Sequence, residues 1–210
     1  GIKSPFIRKV LDELYEAGAP EEILYSSKPH IGTDRLAIVV KNIRKKIESL
    51  GGEVRLECKV EKLIVYNSFV QGLTCSCRGE LFDMEADSVI MAIGHSARDT
   101  VEMLYNLGCE IIQKPFSVGA RIEHPQKLIN KAQYGDFAGN KKLGAADYKL
   151  ACHGLHERGA YTFCMCPGGT VVAAASEKGG VIVNGMSSLA RDGENANSAL
   201  LVGIEPKDFP

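Results

Sequence analysis

The sequence predicts a mixed fold, between the α/β and α+β classes, and three observations support it. After Thr33-Asp34, apolar residues recur at helical spacing until Gly51-Gly52. Val54, Leu56, Cys58 and Val60 then alternate with charged residues, as in a half-buried strand, and further strand-like segments follow up to residue 85. Beyond about residue 110 the chain is rich in glycine and short apolar runs. We therefore expect helices and a β-meander first, and a strand-rich region after them.

The helices of the first half begin and end at recognisable signals. Ser4-Pro5 has the form of an N-cap followed by proline at the first helical position, and Gly18 ends that helix. Thr33-Asp34 starts the longest helix of the sequence. Its inward-facing residues are predicted to be Leu36, Val39, Val40, Ile43, Ile47 and Leu50.

The strands are predicted from alternation and from turn residues. Asn67-Ser68 separates two strand-like segments and indicates a tight hairpin turn. The uninterrupted apolar run 89–93 predicts a strand that is buried on both faces. Further strands are predicted at 81–85, 116–123, 161–166, 171–175, 181–183 and 199–204, and a mobile loop at 133–144.

Composition and charge exclude several classes of function. The chain has 210 residues, 45% hydrophobic and 24% charged, with a net charge of -1. Near-neutrality gives no reason to expect nucleic acid or a membrane surface as a partner, and the apolar runs are too short to span a bilayer. Seven cysteines, an odd number, argue against a disulfide framework and favour a reducing, cytoplasmic compartment.

The segment Gly94-His95-Ser96 follows the predicted buried strand and precedes a helix. Ligands of open α/β sheets lie outside the carboxyl ends of strands, and a helix N-terminus favours negative charge. The alternative is an ordinary strand-turn-helix in which Ser96 only caps the helix, with Asp99 completing a capping box.

His30-Ile31-Gly32-Thr33-Asp34 precedes the long helix and offers a second candidate site. His30, Thr33 and the free N–H groups of the helix are suited to lining a ligand. The alternative is that Thr33 and Asp34 only cap the helix and that His30 is an exposed loop residue.

Two further candidates are Arg121, near the end of a predicted strand, and separately the segment Cys164-Met-Cys166-Pro-Gly-Gly. Arg121 is suited to clamp a carboxylate or phosphate, or else it pairs with Glu123 on its own strand. The cysteine segment is either a ligand-facing edge or an ordinary strand and turn. A second Cys-x-Cys pair lies at Cys75 and Cys77, but zinc sites usually use Cys-x-x-Cys, so we expect no metal.

Several peptide segments together resemble one family, the bacterial FAD-dependent dehydrogenases of the NAD(FAD)-utilising type. They are Lys-Pro-His-Ile-Gly-Thr-Asp at 28–34, Ala-Ile-Gly-His-Ser-Ala-Arg-Asp at 92–99, and Tyr-Thr-Phe-Cys-Met-Cys-Pro-Gly-Gly at 161–169. The resemblance implies a glutathione-reductase-like protein with a substrate domain inserted into an FAD domain. Residues 31–110 (helix, β-meander and buried strand) then belong to the FAD domain. Residues 1–30 and 111–210 form a strand-rich substrate or cap domain.

The resemblance also implies the cofactor and the sides of the site. FAD is the cofactor, with NAD(P)H as a candidate partner in hydride transfer. The flavin side consists of His30, Gly32, Thr33, Gly94, His95 and Ser96. The substrate side consists of Arg121, Cys164 and Cys166. No residue is assigned as general acid or base, and the small-molecule substrate is unassigned.

The chain departs from the family at the phosphate-binding turn. The family's Gly-x-Gly-x-x-Gly unit belongs upstream and nothing here supplies it, so we expect an internal fragment that lacks N- and C-terminal segments of the same protein. Such a fragment is expected to be inactive alone, and its uncovered surfaces promote self-association. The alternatives are a non-catalytic α/β binding or interaction module, and a small metal protein built on the Cys-x-Cys pairs.

Overall fold

The computed structural model describes residues 4–153 and 158–209. The chain forms two compact units, one made of Gly1–Gly51 and Lys114–Pro210 and the other of Gly52–Gln113. Helix and sheet are mixed, as predicted. The helices are α1 (Ile7–Glu16), α2 (Thr33–Ser49), α3 (Arg98–Asn106) and α4 (Gln126–Tyr134). The strands are β1 (Cys58–Tyr66), β2 (Phe69–Cys77), β3 (Glu80–Glu85), β4 (Phe116–Pro125), β5 (Ala151–Cys152), β6 (Ala160–Cys166), β7 (Gly169–Ala173), β8 (Val183–Ser187) and β9 (Asn195–Ile204).

In the first unit, α1 and α2 pack around a small core. Ile23 lies in a single 3₁₀ turn between the two helices and is 1% exposed, and Val39 of α2 is fully buried. Leu11, Leu14 and Ile43 pack against this cluster. Both helices were predicted, but Leu36 and Val40, which were expected to face inward, are largely exposed.

An antiparallel sheet of order β4-β9-β6-β5 dominates the rest of the first unit. Residues paired directly across an antiparallel sheet share a face. Arg121 and Asn197 lie on the face covered by the β7–β8 hairpin, because Gly185 of β8 sits against both of them. Ile122 and Ser198 lie on the opposite face, where α4 packs. We call these the hairpin face and the helix face.

The second unit is a meander of order β1-β2-β3, with α3 beside β1. Asn67 and Ser68 form the predicted tight turn, with φ of 49° and 65°. Lys59 of β1 forms an ion pair with Asp99 of α3 at 2.7 Å. A disulfide joins Cys58 and Cys77, which face each other at the open end of the first hairpin. The expectation from cysteine usage, of no disulfide framework, thus differs from the structure at this one bond.

The buried strand predicted at 89–93 is wrong. These residues have no regular secondary structure, and Ile90 is 92% exposed. A strand buried on both faces needs neighbours that pair with its backbone, and no described strand pairs with this segment. The predicted capping box is also absent. Helix α3 begins at Arg98 without a side-chain cap, and the Ser96 hydroxyl instead contacts His95 Nδ1 at 3.1 Å.

Two elements were missed or shortened in the second half of the sequence. Helix α4 occupies 126–134 and overlaps the start of the predicted loop. Strand β9 begins at Asn195, four residues before the start predicted at 199. Across the described ranges, no helix combines the length and the apolar character needed to cross a membrane.

Candidate functional site

A cleft of about 380 Å³ in the first unit brings together the loop before α2 and the turn after β6. Its lining includes His30, Gly32, Thr33 and Cys166, four of the residues singled out from the sequence. The remaining lining is Pro29, Ile31, Leu36, Met165, Pro167, Gly185, Met186, Ser187 and Arg191, which is largely apolar. Segments more than 130 positions apart in sequence therefore share one concave surface.

The loop before α2 is fastened to the end of β8 by three side-chain hydrogen bonds. His30 Nε2–H donates to the Ser188 carbonyl at 3.0 Å, and Thr33 Oγ1–H donates to the Ser187 carbonyl at 3.3 Å. Asp34 Oδ1 accepts the Leu189 N–H at 2.9 Å. The Ser188 carbonyl can only accept, so Nε2 of His30 is the donor, and Nδ1 is an acceptor in the neutral form of the ring.

Gly32 makes this close approach feasible. Its φ is 86°, a left-handed conformation, and an added Cβ would lie 2.4 Å from the Leu189 nitrogen. The Leu189 N–H also donates to the Asp34 carboxylate, in the first turn of α2, and stabilises its charged form. The Leu189 N–H lowers the pKa of Asp34 below the usual aspartate value.

Two buried polar side chains, Gln126 and Ser187, form hydrogen bonds to the backbone of the turn after β6. Gln126 Oε1 accepts the Gly168 N–H at 2.8 Å, while its amide Nε2–H donates to the Ala146 carbonyl at 2.9 Å. Ser187 Oγ–H donates to the Pro167 carbonyl at 2.8 Å. The Pro167-Gly168 turn is thus fixed at the rim of the cleft.

Arg121 lies behind the cleft, on the hairpin face of the sheet. Its Nη1–H donates to Asn197 Oδ1 at 2.7 Å and to the Cys164 carbonyl at 3.1 Å. No carboxylate pairs with it among the described residues, so the predicted Arg121–Glu123 pair does not form there. Arg121 Nε and Asn197 Nδ2 are buried and lack partners within the described part of the chain.

Cys166 separates Arg121 from the cleft. Burial raises the pKa of the Cys166 thiol, and the nearby guanidinium offsets part of that effect. The thiol therefore stays protonated at neutral pH, and its Sγ–H donates to the Cys164 carbonyl at 3.4 Å. A protonated thiol is a weak donor and a small apolar surface rather than a ready nucleophile.

Cys164 does not line the cleft. It is exposed and has a left-handed φ of 48°, and its pairing partner on β9 is skipped at an irregularity between Phe163 and Cys166. A bulge of this kind re-aims the following side chains. The backbone carbonyl of Cys164, rather than its thiol, connects it to Arg121 and Cys166.

Gly94, His95 and Ser96 belong to the second compact unit. Gly94 has a left-handed φ of 68° with open space around it. His95 and Ser96 are exposed and contact each other. Their predicted role in cofactor binding stays a prediction.

The cysteine pairs do not gather metal ligands. Within the described ranges no group of three or more His, Cys, Asp or Glu side chains converges on a common point. Cys77, one of the four thiols in the metal alternative, is bonded to Cys58.

Four residues that build the site were missed from the sequence: Gln126, Gly185, Ser187 and Asn197. The sequence marks three of them only as members of polar segments, at 184–187 and 191–198, that precede the last predicted strand. Their functions depend on backbone contacts across the fold, which no local pattern reveals. Gln126 had no signal, since it lies between the strand predicted at 116–123 and the loop predicted at 133–144.

The cleft fits the flavin ring of FAD better than it fits the diphosphate of FAD. Its apolar walls, the close backbone approach at Gly32 and the acceptor at His30 Nδ1 suit a flat ring with hydrogen-bonding edges. Its lining offers no glycine-rich turn at a strand-to-helix junction of the kind that holds a pyrophosphate. The residues present therefore fit the flavin ring and not the diphosphate.

Two comparisons with known proteins bear on the family of this chain and on the length of its relative. A protein of Clostridium beijerinckii (strain ATCC 51743 / NCIMB 8052), described as an uncharacterized protein, is 51% identical over 201 residues. The aligned region is 95% of this chain and 37% of that protein, so the chain spans little more than a third of the curated relative it matches. Residues 115–210 match the family described as FAD-dependent protein, C-terminal domain-like, which supports an FAD-dependent family for this chain.

Proposed function

We propose that this chain is part of an FAD-dependent oxidoreductase whose flavin ring and substrate meet at the cleft. The match of residues 115–210 to an FAD-dependent family carries the proposal. Much of the cleft, including Cys166, Gly185 and Ser187, comes from that matched segment. The remaining wall comes from the loop at 29–36, which the hydrogen bonds of His30, Thr33 and Asp34 fasten to it.

The two walls of the cleft have different roles in this proposal. His30, Gly32 and Thr33 face the flavin ring, and Cys166 faces the substrate. Arg121 lies behind Cys166, so it positions the Cys164–Cys166 segment and adds positive charge beneath the substrate. Gly94, His95 and Ser96 remain the other candidate residues for binding FAD. FAD, when bound, supplies the hydride-transfer chemistry of a dehydrogenase, with NAD(P)H as its reductant.

The diphosphate of FAD must be held by segments other than those described. The chain spans 37% of its relative, so a longer protein has room for a Gly-x-Gly-x-x-Gly unit. We therefore expect the 210-residue chain to retain no FAD after free flavin is removed. The complete protein that contains this chain is expected to be yellow and to be bleached by NADH or NADPH without oxygen.

The test compares two tryptophan substitutions in the complete protein. Leu36 lines the cleft, whereas Ile38 lies outside it on the same helix, and their exposures are 45% and 48%. Leu36→Trp is expected to weaken FAD binding about tenfold or to shift the flavin absorbance band, because the indole occupies the ring's space. Ile38→Trp is the matched control and is expected to leave both unchanged.

Two results would count against the proposal in different ways. A complete protein that binds no flavin would remove the oxidoreductase function and favour a non-catalytic binding module. Flavin binding and a flavin spectrum that are identical in Leu36→Trp and in the unchanged protein would keep the cofactor but place it outside the cleft.

A further inference from the structure

A second concavity lies on the helix face of the sheet, opposite the face that carries Arg121. It has a volume of about 610 Å³, between α4 and the strands β4, β6 and β9. Sites for small organic molecules typically have volumes of about 300–1,000 Å³ and mostly apolar walls. We call it the helix-face pocket, and its principal lining residues are Ile122, His124, Leu128, Tyr148, Leu150 and Leu200.

The apolar walls of this pocket are not packed against each other. Leu128 of α4 is 58% exposed and Leu150, before β5, is 61% exposed, although both lie where a helix covers a sheet. A finished core brings such side chains into contact and excludes water. An apolar occupant would remove both side chains from water, which favours binding.

A few polar groups accompany these walls. His124 Nε2 is buried without a hydrogen-bond partner in the described ranges, and the His124 ring lies 5.6 Å from the Tyr148 ring, tilted by 37°. The Gln133 side chain lines the rim and makes no hydrogen bond to any described residue. Burial raises the pKa of Tyr148, so its hydroxyl stays a neutral donor at physiological pH.

We propose that the helix-face pocket binds a planar aromatic molecule that carries a hydroxyl or keto group. The helix and the sheet form two facing walls, so a flat ring system contacts both at once. The His124–Tyr148 pair offers aromatic surface, and the exposed Gln133 amide at the rim binds the polar substituent. This site is separate from the cleft and does not depend on the proposed flavin chemistry.

The experiment uses 2-naphthol as the probe and follows its fluorescence on titration with the complete protein. Ala132 lines the pocket and Ala37 does not, and both are exposed alanines within helices. Ala132→Phe is expected to weaken 2-naphthol binding about tenfold by filling the pocket, and Ala37→Phe is expected to leave it unchanged. Naphthalene, which lacks the hydroxyl, is expected to bind more weakly than 2-naphthol.

Three results would overturn the proposal. The first is no binding of 2-naphthol up to its solubility limit, which would mean that other polypeptide covers the pocket. The second is equal binding by Ala132→Phe and the unchanged protein, and the third is equal binding of naphthalene. Flavin content, measured on the same samples, reports on the proposed function independently, so the two proposals fail separately.

Discussion

At the scale of single residues, Gly185 shows how tightly the cleft is built. A Cβ added there would lie 2.2 Å from Asn197 Oδ1, 2.4 Å from Arg121 Nη1 and 2.7 Å from Cys166 Sγ. Asn197 is fully buried, so it has little room to move away. The absence of a side chain at this position lets the β7–β8 hairpin lie directly on the Arg121–Asn197 pair.

Gly185→Ala is therefore expected to destabilise the protein by about 1–3 kcal/mol, the usual cost of overpacking a rigid site. The measurement is urea unfolding followed by circular dichroism. Gly203→Ala is the matched control, because Gly203 is an exposed strand glycine with nothing within 4 Å of its Cβ position. The control is expected to be neutral or stabilising, since alanine restricts the unfolded chain more than glycine does. Equal effects of both changes would show that the Gly185 contact is relaxed.

The sequence could predict which residues to watch but not how they would meet. His30, Gly32 and Thr33 stood out because they precede a helix, and Cys166 because it precedes Pro-Gly-Gly. Their convergence depends on backbone carbonyls of Ser187 and Ser188, and every residue type has a backbone carbonyl. A sequence pattern therefore does not indicate which backbone carbonyl a side chain will bind. The functional roles of these residues stay predictions.

At the scale of elements, the N-terminus of α2 is locked to the end of β8 through Asp34. The carboxylate accepts the Leu189 N–H, and this hydrogen bond is the main reason that the pKa of Asp34 lies below its usual value. A group whose pKa is lowered on folding stabilises the fold above its unfolded pKa. That stabilisation is lost as the pH falls through the folded pKa.

Asp34→Asn is thus expected to lower the urea midpoint at pH 7, with the difference shrinking below about pH 4 as the unchanged carboxyl becomes protonated. Urea titrations at pH 7, 5 and 3 measure the effect. Asp136→Asn is the control, since its side chain is 97% exposed and its ion pair with Lys131 lies on the surface. A difference in urea midpoint that is the same at all three pH values would mean that the charge of Asp34 does not contribute to its contact with Leu189.

Elements with local signals were predicted well, and those determined by tertiary contacts were not. Helix α2 has apolar residues at helical spacing and the hairpin has its turn residues at Asn67-Ser68, so both are confirmed, although α2 begins without the predicted side-chain cap. Helix α4 follows strand β4 without a side-chain cap, and its first N–H donates to the distant Glu194 carbonyl instead. The polar start of β9 looked like a loop, yet it is a central strand whose neighbours satisfy its backbone.

At the scale of the whole molecule, the two compact units divide the chain near 51 and 113. The sequence interpretation placed the FAD domain at 31–110, whereas helix α2 lies in the unit with the matched segment 115–210. The helix that lines the cleft thus shares a unit with the strands that complete it. Which residues form the FAD domain remains a prediction, as does self-association through exposed side chains such as Ile90 and Val181.

The second unit is small, and its disulfide is expected to contribute much of its stability. Cys58 and Cys77 are separated by 19 positions, and closing a loop of that size stabilises a fold by about 3 kcal/mol in the chain-entropy account. Replacing both cysteines with serine is therefore expected to remove about that much from the free energy of opening of residues 52–113. Hydrogen exchange read peptide by peptide measures this, because a chain with two units need not unfold in a single step.

Peptides from the first unit provide the internal reference in the hydrogen-exchange experiment. Cys109→Ser is the control variant, because it removes an exposed free thiol from the second unit and leaves the disulfide in place. Faster exchange confined to residues 52–113 would show that the bond forms in the protein and restrains this unit. Unchanged exchange would mean that the two thiols stay reduced, as cysteine usage alone suggested, and that strand pairing holds the hairpin without them. Loss of protection across both units would instead identify the hairpin as part of one cooperative fold.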